Sequence, residues 1–140
     1  MYDFLVTDKE YVLCGPCALA RAGLVTYSTE LLYLQTSYKE LDGVCTIYIT
    51  YWFYDDIDTQ YCVTPGDENP LILHPSKERA IIEYLKCKRW CDEGILIEAL
   101  KSYLLWFRDD DKLYKCADHF GVSRDTIDYW INEALTDEEV

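Results

Sequence analysis

The sequence predicts an α+β fold: a short N-terminal helix, a small and mostly antiparallel sheet, then a C-terminal helical bundle ending in a helix-turn-helix-like unit. Two observations carry this expectation. Runs rich in β-branched and aromatic residues fall between residues 31 and 74, whereas apolar residues at helical spacing begin after Pro75. Strands first and helices last is the order of an α+β chain. A third observation sets the organisation: 140 residues without an internal repeat or low-complexity linker predict a single domain over 1–140. Within it, about 9–74 hold the first helix and the strands, about 75–135 the helical part, and 136–140 a tail.

The elements follow in order. "YVLCGPCALARAGL" places Pro16 in the first turn of a helix, Ala18, Leu19 and Ala22 along one side, and Gly23 where a short helix stops, predicting a helix over 16–22. "LLYLQTS" (31–37) and "VCTIYITYWFY" (44–54) read as the two arms of a hairpin joined by "YKELDG". Two shorter strands flank the breaker cluster Pro65-Gly66-Asp67-Glu68-Asn69-Pro70. Ser76 can cap a helix carrying Ala80, Ile81, Tyr84 and Leu85 on one face. A further helix over about 92–107 aligns Leu96, Ala99, Leu100, Tyr103, Leu104 and Phe107, with Asp92 and Glu93 at its positive end.

The formal charge is −13, from 26 acids against 13 bases, which opposes contact with a phosphate backbone. Charges interrupt every apolar run of "MYDFLVTDKEY", so the start reads neither as an export signal nor as a spanning helix. The expectation is a cytoplasmic protein with no membrane partner. Seven cysteines, an odd number scattered through apolar segments, predict reduced and mostly buried thiols.

Residues 113–132 carry a helix-turn-helix pattern, with Cys116, Phe120, Val122, Ile127 and Trp130 at buried positions, Ala117 at the helix crossing and Gly121 at the turn. Its second helix would offer Arg124, Tyr129 and Asn132 to nucleic acid. Beside them stand Asp125 and Asp128, and three bases against seven acids from 112 to 140 leave a net −4. Packing is the expected role of this unit.

Signals for catalysis are short. "DDIDT" (55–59) resembles the start of a haloacid-dehalogenase phosphatase loop, but Thr59 comes one position early, and a solvated turn accounts for it. Asp110 and Lys112 form a bare Asp-x-Lys. His74 and His119 have no nucleophile or acid beside them in sequence and read as structural histidines. Cys14 and Cys17 have metal-ligand spacing, and Cys87 and Cys91 would share one helix face, giving a four-thiolate zinc alternative that lacks a second C-x-x-C knuckle. Cys14-Gly15-Pro16-Cys17 also spells a thioredoxin dithiol, yet the following helix is too short and no βαβ unit surrounds it. No cofactor is expected.

The stretch "YVLCGPCALARAGLVTYSTELLYLQTS" is similar to a segment of abortive-infection type IV antitoxins of the AbiEi-like kind. The matching residues are Ala18 and Leu19, Gly23 and Leu24, then "LLYLQTS". Downstream, "NPLILHPSKERAIIEYLKC" resembles the same family's strand running into "S-P-x-R-A-L", matched by Pro75, Arg79 and Ala80, and is followed by "DEGILIEAL" and the terminal helical unit with Gly121. Cys14 and Cys17 stand where that family has small residues such as Ser. The resemblance spans roughly 10–135 and implies the core domain of an antitoxin, non-enzymatic, that counteracts a nucleotidyltransferase-type toxin, often without touching it. The family's N-terminal winged helix has no counterpart, so promoter binding through such a domain is not implied. Two alternatives stand beside this: a small helix-turn-helix transcriptional regulator, and a thiol or zinc protein using Cys14 and Cys17.

Overall fold

The structure is a computed structural model that describes residues 10–26, 32–46, 48–54, 57–66, 70–87 and 92–136. It is α+β. Five strands, β1 (Tyr11–Cys14), β2 (Leu32–Thr36), β3 (Ile49–Phe53), β4 (Val63–Pro65) and β5 (Ile72–Pro75), form one sheet in the order β3-β2-β1-β5-β4. The central strand β1 is buried along its whole length, as a strand flanked on both edges and covered by helices must be. No helix among the described residues is long and apolar enough to cross a membrane.

The sheet is mixed rather than mostly antiparallel. β1 pairs antiparallel with β2 and β4 with β5, but β1 runs parallel to β5 and β2 parallel to β3. The expected hairpin of residues 31–37 with 44–54 is thus a parallel pair, with Leu34 opposite Tyr51. The reason lies in the connection. After a 3-10 turn at Lys39–Leu41 the chain runs back along residues 43–46, which take the antiparallel place beside β3 through the Cys45–Thr50 bridge. The Tyr51 amide donates to the Val44 carbonyl at 3.0 Å, the Gly43 amide to Tyr51 at 2.8 Å and the Thr46 amide to Ile49 at 2.7 Å. The true return leg is only these few residues, and β3 re-enters in the direction of β2.

Helix α1 (Gly15–Arg21) leaves β1 through Gly15, whose φ of 69° is left-handed, and has Pro in its first turn. Helix α2 (Lys77–Lys86) starts at Ser76, whose hydroxyl accepts the Arg79 amide at 3.1 Å. Helix α3 (Glu93–Trp106) is capped by Asp92, which accepts the Ile95 amide at 3.1 Å. Its Leu96, Ala99, Leu100 and Tyr103 are buried, whereas Phe107 lies one residue past the helix and is exposed. Helices α4 (Asp110–Phe120) and α5 (Arg124–Thr136) are joined by three residues, the first of which, Gly121, takes φ 74°. α4 packs on α2, and α5 on α3 and α4.

One core joins the sheet to the helices, from Tyr11, Leu13, Leu19 and Leu34 through Ile81 and Ile82 to Leu100, Leu113, Cys116 and Ile127. Phe120, Val122 and Trp130, expected inside, are half-buried at its margin, while Cys116, Ala117 and Ile127 are fully enclosed. Trp52, Phe53 and Tyr54, at the end of β3 and just beyond it, are half-buried too.

Candidate functional site

The dithiol closes the end of β1 onto α1. Cys14 is the last residue of the strand and Cys17 lies one turn into the helix, both buried. The Cys17 thiol donates to the Cys14 carbonyl at 3.0 Å and its sulfur accepts the Tyr33 amide at 3.3 Å, while the Cys14 thiol donates to the Tyr33 carbonyl at 3.4 Å. Burial pushes Cys17 up to about 11, the opposite of an activated nucleophile. Cys87 is the cap residue beyond α2, so it does not lie on a helix face, and its sulfur is 3.4 Å from the Tyr54 hydroxyl. Cys91 is outside the described residues. In native protein, alkylation at pH 8 followed by mass spectrometry is expected to label the exposed Cys45 and Cys62 quickly and to spare Cys14, Cys17 and Cys116 until the chain is unfolded. Rapid labelling of Cys14 or Cys17 would reinstate a reactive dithiol.

On α5 the three residues proposed to face nucleic acid are already engaged or isolated. Arg124 pairs with Asp118 of α4 at 2.8 Å and sits 5.1 Å from the centre of the Tyr114 ring. The Tyr129 hydroxyl donates to Glu133 at 3.1 Å, and Asn132 is exposed beside it. Tyr114 in turn donates to Asp128. Arg124, Tyr129 and Tyr114 are thus each matched to a carboxylate of the same two helices. Asp110, from the Asp-x-Lys fragment, likewise accepts from Arg108 at 2.9 Å.

The most organised polar assembly lies elsewhere, where residues 57–62, the end of α2 and the end of α4 meet around an open cleft of about 460 Å³. Its foundation is Arg79, fully buried although arginine is rarely so. Its guanidinium donates to the Tyr61 carbonyl at 2.7 Å, to the Asp58 carbonyl at 2.7 Å and to Glu83 at 3.1 Å, whose other oxygen accepts from the Gln35 amide at 2.8 Å. The loop backbone is therefore clamped from beneath. Asp58 is then fully used from above: Oδ1 accepts the amides of Gln60 and Tyr61 at 2.9 and 2.8 Å, and Oδ2 lies 2.7 Å from His119 Nε2. Partial burial works against its charge, but the Tyr61 and Gln60 amides, His119 and the nearby Arg79 outweigh it and hold the carboxyl down at about 2.

The imidazole of His119 is fixed as well as paired. It stacks on Tyr61 with ring centres 3.8 Å apart and planes 7° from parallel, and meets the edge of Phe120 at 4.8 Å. Phe120 in turn has the Arg79 guanidinium 4.9 Å and the Lys86 ammonium 5.8 Å from its ring centre. Cys62, closing the loop, is the one described non-glycine residue at positive φ, 54°, a conformation that costs energy and is kept only where its surroundings enforce it. An aspartate holding one nitrogen of an oriented imidazole leaves the other nitrogen for a ligand or a proton.

Asp58 and His119 are 61 residues apart, and the sequence reading treats them separately, as a solvated turn and a structural histidine. Asp55 and Asp56 of the same "DDIDT" run lie outside the described residues. His74, in β5, is not among the residues that line this cleft. Among the described residues no group of three or more His, Cys, Asp and Glu is arranged to hold a metal ion. No protein-family model matches this chain, and no curated protein does so either.

Proposed function

We propose that this chain is a non-enzymatic antitoxin core domain of a cytoplasmic type IV toxin-antitoxin or abortive-infection phage-defence pair, counteracting a nucleotidyltransferase-type toxin. The supporting observation is where the residues that carry the family resemblance lie. The two matching stretches hold neighbouring elements, β1, α1 and β2 from the first and β5 and α2 from the second, with β1 paired to β5. Within them Ala18, Leu19, Leu24, Pro75, Arg79 and Ala80 are all buried, as residues that mark a fold rather than a chemistry are. The helix-turn-helix-like unit formed by α4 and α5 closes the core against α2 and α3 in this reading, and its Arg124–Asp118 pair argues for packing over DNA contact.

The test is growth rescue. A nucleotidyltransferase-type toxin gene is expected beside this one; its expression should arrest growth, and co-expression of this chain should restore it. A Cys14→Ser/Cys17→Ser double variant is expected to rescue equally, since both positions are packing positions. Failure of the wild-type chain to rescue would overturn the antitoxin reading. Salt-dependent duplex binding lost in Arg124→Ala would favour the regulator instead.

A further inference from the structure

Both oxygens of the Asp58 carboxylate are engaged, which bears on what the cleft offers to a visitor. With Oδ1 taken by two backbone amides and Oδ2 by His119, the groups left to line the opening include the Lys86 ammonium, the Thr59 hydroxyl, the Gln60 side-chain carboxamide and the second nitrogen of His119, which donates when the imidazole is protonated. Among the described residues Lys86 has no carboxylate partner, and its ammonium lies 5.8 Å from the centre of the Phe120 ring. Ile57 and the Phe120 ring supply apolar wall beside these donors. The loop that carries four of the lining residues is held from below by Arg79, so its backbone is set before any ligand arrives.

We propose that this cleft binds the phosphate group of a small phosphorylated molecule, with Lys86 and His119 as its principal contacts and Thr59 and Gln60 completing the donor set. A tetrahedral phosphate, with its several oxygens, can use several donors around one cleft, whereas a carboxylate has two oxygens to offer. The volume of about 460 Å³ falls within the usual range for small-molecule sites. The inference does not depend on the antitoxin reading, since none of these side chains carries that resemblance.

The chain has two histidines, which makes the test direct. Inorganic phosphate and, in a separate series, acetate are titrated into the full chain at constant ionic strength and pH while the ring resonances of His119 and His74 are followed by NMR. Phosphate should shift the His119 signals saturably and leave those of His74 in place, and acetate should bind at least about tenfold more weakly. Lys86→Met should weaken phosphate binding by about tenfold or more. It leaves the His119 ring shifts from Tyr61 unchanged, which separates a lost contact from a lost fold. Thr59→Val gives a second, milder variant at the same site. Absence of a saturable His119 shift, equal affinity for acetate, or undiminished binding in Lys86→Met would each overturn the proposal.

Discussion

Arg79→Met is expected to lower the stability of the chain by about 3–5 kcal/mol, the largest effect of any single polar substitution proposed for it. The methionine replaces the stem of the side chain but not its five donors. Left behind are the Asp58 and Tyr61 carbonyls and the Glu83 carboxylate, partly buried and each having lost its guanidinium partner. Unsatisfied buried acceptors cost about 1–3 kcal/mol apiece, more for a charged one, and relaxation of the loop recovers part of that sum. Urea unfolding should show a lower midpoint at an unchanged slope. Replacing Glu83 as well, in Arg79→Met/Glu83→Leu, should cost less than the two single losses together, because the orphaned carboxylate is gone. A loss below about 1 kcal/mol for Arg79→Met would place the arginine with exposed ion pairs and undo the account of the clamp.

Tyr103→Phe should cost about 2–3 kcal/mol through a single oxygen atom, since hydrogen bonds to charged groups are the strong ones. Tyr103 is fully buried in α3, and its one hydroxyl hydrogen lies between Glu78 of α2 at 2.8 Å and the Asp109 carbonyl at 3.0 Å, while the oxygen accepts the Asp109 amide at 3.0 Å. Burial first, and then the adjacent Glu78 carboxylate, hold the phenol well above its ordinary range, so it stays a donor throughout the working pH. Asp109 is also the cap of α4, accepting the Lys112 amide at 3.2 Å. The substitution therefore strips a buried carboxylate and loosens the start of α4 together. Thermal unfolding measures the first effect, and faster amide exchange confined to the first turn of α4 the second. A change under about 0.5 kcal/mol would mean that water replaces the phenol at no penalty.

Local chemistry was readable from the chain, and pairings at long sequence separation were not. Ser76, Asp92 and Gly121 announce helix ends because a cap satisfies neighbours three residues away, and those positions hold as read. The direction of β3 was misread because strand composition is indifferent to it: what reverses the chain is the short return leg at 43–46, whose residues look like the start of the strand they pair with. Asp58 and His119 come together through tertiary packing of α4 on α2, and neither has a sequence neighbour that would select it. One signal was available at Arg79, an arginine on the apolar face of a predicted helix between Ser76 and Glu83. Composition argues that such a residue points to solvent, and only the carbonyls of a distant loop explain why it turns inward.

The return leg at 43–46 has one more effect, on how molecules of this chain meet each other. A sheet edge exposes unpaired amides and carbonyls that a second chain can extend, the usual start of runaway strand addition. Here the margin beyond β3 is occupied by the chain's own residues Gly43 to Thr46, tied at Thr46, Val44 and Gly43. The opposite margin, β4, is three residues long and ends in Pro65, which has no amide hydrogen to give. Among the described residues both borders of the sheet are thus poor templates for strand addition, a property of weight in a chain with half its residues hydrophobic.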